Sequence, residues 1–206
     1  MDVLILDQKL SDDSIAKRRE LGHDLYDEVW EGAYVVAPMP NNMHQDVATD
    51  LAGAIGEVIR VPGLGRVQAG ANVSGLNADW EHDYRCPDVV VVLNGSRAID
   101  RKTHWQGGPD FLVEIRSPRD DTFKKLPFYA ALGVREVLVV ERDSRETTLY
   151  RLGRTRLTPV KPLDIDGDTL LVSRVLPLAF RTVTAKKLGP RLEVRRTAGR
   201  KKTWLI

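Results

Sequence analysis

Two acids and a lysine stand where a chain could assemble a cation site. Asp88 heads the run Val89-Val90-Val91-Val92-Leu93, and Glu114 lies 26 positions later inside "DFLVEIR". Lys125 follows in "DDTFKKLPFYAAL". Placing carboxylates in apolar strands costs on the order of several kcal/mol unless a partner or cation compensates each one. Two acids brought together from neighbouring strands suit a hard divalent ion such as Mg²⁺ or Mn²⁺, which takes oxygen ligands and keeps several waters. A nearby lysine can orient or deprotonate a metal-activated water, or offset the charge of a phosphate. The same residues admit a structural reading, in which Asp88 caps a turn and Glu114 pairs with Arg116 or Lys125.

Strands and one helix must position these groups. In "GGPDFLVEIRSP", Phe111, Val113 and Ile115 alternate with Leu112, Glu114 and Arg116, so a period of two sets Glu114 and Arg116 on the face opposite the three apolar residues. The valine run after Pro87-Asp88 reads as a strand buried on both faces. Gly133 stops the helix after "KKLPFYAAL", and "EVLVVER" (136–142) is another central strand with Thr147 to Leu152 paired outside it. Upstream, Tyr26 to Trp30 and Ala33 to Ala37 form a strand pair about Glu31-Gly32. A helix from Met43 carries His44, Val47, Leu51, Ala54, Ile55 and Val58 on one side and ends before Pro62-Gly63. Leu64 to Ala69 and Asn72 to Leu76 are further strand candidates, and a polar loop of about fifteen residues precedes the Glu114 strand. Ser11, followed by Asp12 and Asp13, is the expected start of an N-terminal helix. The order implies an α/β sandwich around a mixed sheet.

With 206 residues, 42% of them hydrophobic and 29% charged, the chain suits a single domain (1–206) with a sizeable core. Within it, residues 1–24 read as a peripheral segment and 185–206 as a basic C-terminal extension. The early apolar run Val3 to Leu6 is too short, and too acidic at its edges, for a signal peptide or membrane span, so a cytoplasmic protein is expected. One cysteine, Cys86, excludes a disulfide framework and a multi-cysteine zinc site. The net charge of +2 is uneven: residues 181 to 206 hold nine Lys or Arg against one acid, Glu193. That end reads either as a polyanion contact or as a solvated, partly disordered tail.

Other groups point less clearly to chemistry. His44 fits a core histidine as well as a ligand. Glu57 on the helix flank could reach a metal or face solvent, and Asp110, on the strand face of Glu114, could add a carboxylate or begin the strand. Cys86 has no spacing that makes it a nucleophile. "GLGRVQAG" (63–70) lacks the Lys-Ser/Thr pair of a nucleotide-binding loop.

Taken together, "CPDVVVVL", "GGPDFLVEIRSP" and "DDTFKKLPFYAALGVREVLVVE" resemble the PD-(D/E)XK nuclease superfamily, and within it the Uma-two family of restriction-endonuclease-like proteins. "EGAYVVAPMPNNMHQDVATDL" is similar to that family's strand pair, loop and His-bearing helix, and "VLPLAF" to its C-terminal end. The resemblance spans about residues 25 to 180. It implies a restriction-endonuclease-like core, a mixed β-sheet flanked by helices, with an extra N-terminal strand pair and C-terminal strands. It also implies a metal-dependent DNA endonuclease: Asp88 and Glu114 would hold Mg²⁺ or Mn²⁺, and Lys125 would be the catalytic cation. DNA would be the substrate, no membrane would be involved, and a homodimer follows by analogy. Asp121 also fits a family position. Two departures stand out. The strand lysine of the superfamily falls at Arg116, which cannot act as a base, and Pro127 sits two residues after Lys125, where it would delay or kink the helix. The alternative function is a non-catalytic nucleic-acid-binding or structural descendant; hydrolysis of a small phosphoester is a third reading.

Overall fold

Chain order gives helix α1 (Gln8–Glu20), strands β1 (Glu28–Trp30) and β2 (Ala33–Val35), and helix α2 (Asn42–Ile59). Next come β3 (Gly65–Ala69), β4 (Val73–Ser74), β5 (Tyr84–Arg85), β6 (Val89–Leu93), β7 (Ile99–Asp100), β8 (Trp105–Gln106) and β9 (Phe111–Arg116). Helix α3 (Thr122–Leu132) leads to β10 (Glu136–Glu141), β11 (Thr147–Leu152) and β12 (Leu157–Pro159). The chain ends with β13 (Leu163–Ile165), β14 (Asp168–Val172), β15 (Leu178–Ala185), β16 (Gly189–Arg196) and β17 (Thr203–Leu205). The structure is a computed structural model and describes residues 8–118, 120–186 and 189–206. The expected run Val3 to Leu6 lies outside the described residues.

The central sheet runs β12-β11-β10-β9-β6-β3, with β9 and β10 parallel and the other neighbours antiparallel. This is the mixed α/β sheet expected of the fold. Its two faces follow from alternation along each strand. Val89, Val91, Phe111, Val113, Ile115, Leu138 and Val140 pack with α2 residues Val47, Leu51, Ile55 and Val58. Val90, Val92, Leu112, Val137 and Val139 pack on the opposite side with Tyr129 and the flanking Leu126 and Phe128 of α3. The four valines of β6 therefore serve both layers, which is why the run is apolar without a break. Glu114 shares its parity with Leu112 and so lies on the α3 side.

A second sheet, β2-β1-β5-β4-β8-β7, lies beside this layer. Its hairpin turns at Glu31 and Gly32, both with positive φ (51° and 87°), the geometry of a two-residue turn suited to strand twist. Arg85 ties this sheet to α3. Its guanidinium lies 4.7 Å from the Trp30 ring centre and 4.1 Å from that of Phe128, and it donates to the Val29 carbonyl at 2.7 Å. The remaining strands form an antiparallel sheet, β13-β14-β15-β16-β17.

Several expectations change. Helix α1 already contains Ser11, because the helix-favouring Gln8, Lys9 and Leu10 carry it upstream of the expected cap. The polar loop before β9 holds β7 and β8, which are two residues each and too short for a period-two signature. Helix α3 starts at Thr122 and runs through Pro127 to the left-handed Gly133 cap, so neither a late start nor an interruption displaces Lys125. The described part of the basic C-terminal end is folded: in "RLEVRR", Leu192 and Val194 alternate with charged residues and enter the same buried cluster as α2, with Ile206.

Candidate functional site

The site sits where β1, β6, β9, α2 and α3 converge. Asp88 immediately precedes β6, and its two oxygens are held from different elements. Ile115 N–H donates to Oδ2 at 2.6 Å, and His44 Nε2 lies 2.7 Å from Oδ1. His44 reaches this position because Asn41 caps α2, its side chain accepting from His44 N–H at 3.0 Å and setting the first turn beside the acid. Antiparallel pairing of Val89 with Val113 brings the residues that adjoin them, Asp88 and Glu114, to neighbouring places on β6 and β9.

Glu114 is almost wholly buried (3% exposed) and faces α3. Lys125 Nζ lies 3.1 Å from its Oε2 and 2.9 Å from Oε1 of Glu28 in β1. Tyr129 OH donates a short hydrogen bond to Glu114 Oε1. Lys125 and Tyr129 are four apart and so present one helix face to the same carboxylate. Glu28 also accepts from Trp30 Nε1 at 2.7 Å and from Cys86 N–H at 2.8 Å.

Charge in this cluster is unbalanced, with three carboxylates, Asp88, Glu114 and Glu28, around one lysine. Burial pushes Glu114 up to about 8, with Asp88 and Glu28 adding to the rise and Lys125 and Tyr129 opposing it. Burial by itself would lower Lys125, but Glu114 and Glu28 reverse that and carry it well above the ordinary lysine value. Lys125 is thus a fixed cation. Burial, reinforced by Glu114 and Glu28, likewise raises the Tyr129 phenol well above its usual value, so it remains a donor. Burial lifts the Cys86 thiol to about 12 with Glu28 adding to the effect, which removes it as a nucleophile.

The structure thus brings Asp88, Glu114 and Lys125 into one locality with His44, and it sends the other candidates elsewhere. Asp110 accepts from Leu93 N–H at 2.9 Å and pairs with Arg135 at 3.1 Å, so it fastens the far end of β6 and β9. Glu57 pairs with Lys202 at 2.6 Å on the surface. Asp121 pairs with Lys124 at 2.8 Å. Arg116 lies on the Glu114 face, yet it forks onto both oxygens of Glu141 at 2.9 and 3.1 Å and lies over the Phe123 ring. It is neutralised one strand away. Glu28 and Tyr129 are the members that sequence reasoning missed. The spacing of Tyr129 from Lys125 was a usable signal; Glu28, 86 positions before Glu114, carried none.

The model of the Uma2 family, described as "Putative restriction endonuclease", matches residues 19–186, a span that holds every residue of this cluster. Among solved structures the chain is similar to one described as "a putative nuclease belonging to DUF820 from Anabaena variabilis". The two share 17% identity with a TM-score of 0.53, over 68% of this chain and 80% of the other. That likeness is one of fold. Among curated proteins, none matches the sequence.

Proposed function

This chain belongs to the Uma2 family of restriction-endonuclease-type proteins, and on that basis we propose that it is a metal-dependent DNA endonuclease hydrolysing phosphodiester bonds. The observation that carries the reading is the meeting of Lys125 with Glu114, 3.1 Å apart on α3 and β9, in a cluster with more acid than base.

The donor set fits a small hard dication. Mg²⁺ binds through one or two carboxylates and fills its remaining positions with water and phosphate oxygens. Among the described residues no group of three or more His, Cys, Asp or Glu side chains lies close enough together to hold a metal ion, so water and phosphate oxygens would have to supply most of the shell. Asp88 and Glu114 would hold Mg²⁺ or Mn²⁺. Once bound, such an ion polarises a phosphoryl oxygen and lowers the pKa of its water.

The chain's own groups have separate tasks. His44 and the Ile115 N–H fix both oxygens of Asp88. Tyr129 holds Glu114. Lys125 stays protonated, so it positions the attacking water or the scissile phosphate and stabilises charge there; it does not abstract the proton. DNA is the proposed substrate, and a homodimer matches the way restriction-type enzymes commonly cut duplexes.

The purified protein should cleave plasmid or single-stranded DNA with Mg²⁺ or Mn²⁺ and stop with a chelator. Glu114→Ala and Asp88→Ala should lower the cleavage rate by at least about 100-fold while leaving DNA binding intact. A folded protein that cleaves neither substrate and binds neither ion would sink the proposal. A second reading, a non-catalytic descendant that binds nucleic acid, draws on the closure of the cluster, since Lys125 already spans two acids. It predicts binding with no cleavage in any metal.

A further inference from the structure

Arg145 lies in the turn between β10 and β11 and is 8% exposed. Its φ is +58°, in the left-handed region that residues other than glycine take uncommonly, most often in turns such as this one. The backbone is held there from three directions. Arg145 N–H donates to the Glu141 carbonyl at 2.9 Å, and the Arg145 carbonyl accepts from the hydroxyls of Thr147 at 2.8 Å and Thr182 at 2.7 Å.

The side chain has no such anchorage. Four buried side-chain nitrogens among the described residues have no hydrogen-bond partner, and two of them, Nε and Nη1, belong to Arg145. The others belong to Arg85 and Arg116, whose guanidinium groups lie over aromatic rings. Arg145 has no ring beneath it and forms no ion pair with a described residue. Burial lowers its pKa from the ordinary arginine value, and Arg191 on β16 adds to the lowering. Asp143 and Asp46 act in the opposite sense, but Asp143 pairs with Arg142. Among the described residues Arg191 donates only to the Pro190 carbonyl, at 3.0 Å, and it is half-buried. Arg191 is near enough to repel Arg145, and an anion reaching both guanidinium groups would relieve that repulsion.

The turn is at the end of the sheet that carries the acid cluster. Arg142 N–H donates to the carbonyl of Arg116, which is two residues past Glu114 on β9. Asp46, within electrostatic range of Arg145, is two residues past His44.

We infer that Arg145 and Arg191 bind a backbone phosphate of the nucleic-acid substrate. This rests on the nuclease reading above. Such a contact positions the strand without reading its sequence. It also gives the unpaired cation a counterion: Nε and Nη1 are buried, so the phosphate would meet the remaining nitrogen, Nη2.

The test measures binding of a labelled DNA duplex across a salt series in chelator, with thermal melts of the same proteins. Arg191→Ala and Arg145→Met should each weaken duplex binding and lower the slope of log K against log salt by about 1. Arg145→Met should also raise the melting temperature by about 2–4 °C, since it removes a buried unpaired charge. Folded variants with unchanged affinity and slope overturn the inference, as does an Arg145→Met variant that binds normally but is less stable. Should the wild-type protein bind no duplex, the nuclease reading fails, and inorganic phosphate then decides the site alone. Stabilisation of the wild type but not of Arg191→Ala keeps an anion site for another phosphate ligand, and no difference removes it.

Discussion

Glu114 and Glu136 are both buried glutamates on neighbouring strands of the central sheet, and their surroundings are opposites. Glu136, 1% exposed at the start of β10, has one acid's worth of partners: Arg151 Nε at 2.7 Å, the Ser173 hydroxyl at 2.5 Å and the Arg174 N–H at 3.1 Å. One cation meets one carboxylate, and the donors fill its remaining lone pairs. The cluster fastens the central sheet to the segment between β14 and β15. Glu114, near the other end of β9, shares Lys125 with Glu28 and lies beside Asp88. What separates the two is the balance of charge, since both are buried and both are hydrogen-bonded. A balanced buried acid is a fastening; the excess of acid around Glu114 is met by a proton that burial keeps on it, in the place that the proposed cation would take.

That contrast is most exposed to removal of the acids one at a time. Glu136→Ala leaves Arg151 and two further donors, the Ser173 hydroxyl and the Arg174 N–H, without their acceptor, and breaking a buried pair in this way costs about 3–5 kcal/mol. Glu114→Gln keeps an acceptor for Tyr129 and leaves Lys125 with Glu28, so its stability should stay within about 1 kcal/mol of wild type. Equilibrium urea unfolding measures both. Equal losses in the two variants would show that Glu114 is also a fastening.

A smaller effect should appear with pH. Burial, with Asp88 and Glu28, takes Glu114 from an unfolded value near 4.5 to about 8, so between those values the folded chain holds a proton that the unfolded chain has released. Stability from this group is therefore complete below pH about 4.5 and is lost as pH rises through about 8. Thermal melts of the metal-free protein should fall across that window, and in Glu114→Gln the fall should flatten. A wild-type profile that rises from pH 5 to 8, with the variant unchanged, would place the proton elsewhere.

The sequence made the two acids legible for a simple reason. Alternation along "DFLVEIR" assigns Glu114 a face, and the uninterrupted valines after Asp88 mark a strand buried on both sides. Helix α3 was equally legible up to its Gly133 cap, and only Pro127 clouded it. A proline lacks the N–H that would bond to the Phe123 carbonyl, and the sequence does not say that packing of Tyr129, Leu126 and Phe128 holds the helix regardless. Glu28 was hidden because its approach depends on β1 pairing with β5, and β5 is a two-residue strand with no period to read. C-terminal strands were expected, but their charge left open whether the last of them pack or trail into solvent. Nine basic residues allowed a tail, whereas Arg181 on β15 and Arg195 on β16 both pair with Asp168 on β14 and Glu193 on β16 while Leu192 and Val194 are buried.

The mildest test concerns a pair on the surface. Lys202 and Glu57 are 2.6 Å apart, joining β17's approach to α2, with each side chain more than 40% exposed. Exposed ion pairs gain little, because water screens both charges and two long side chains must be held still. Lys202 is also within 5.1 Å of the Trp204 ring, a contact of the same modest class when exposed. Lys202→Ala should leave the urea midpoint unchanged at both low and high salt. A clear loss that high salt abolishes would mean that the C-terminal sheet is held by its surface charges, and the core contacts of Leu192, Val194 and Ile206 would then be too weak to dock it. If the midpoint holds, charge on this chain sorts as the two glutamates suggest: decisive where it is buried and unbalanced, dispensable where it is paired in water.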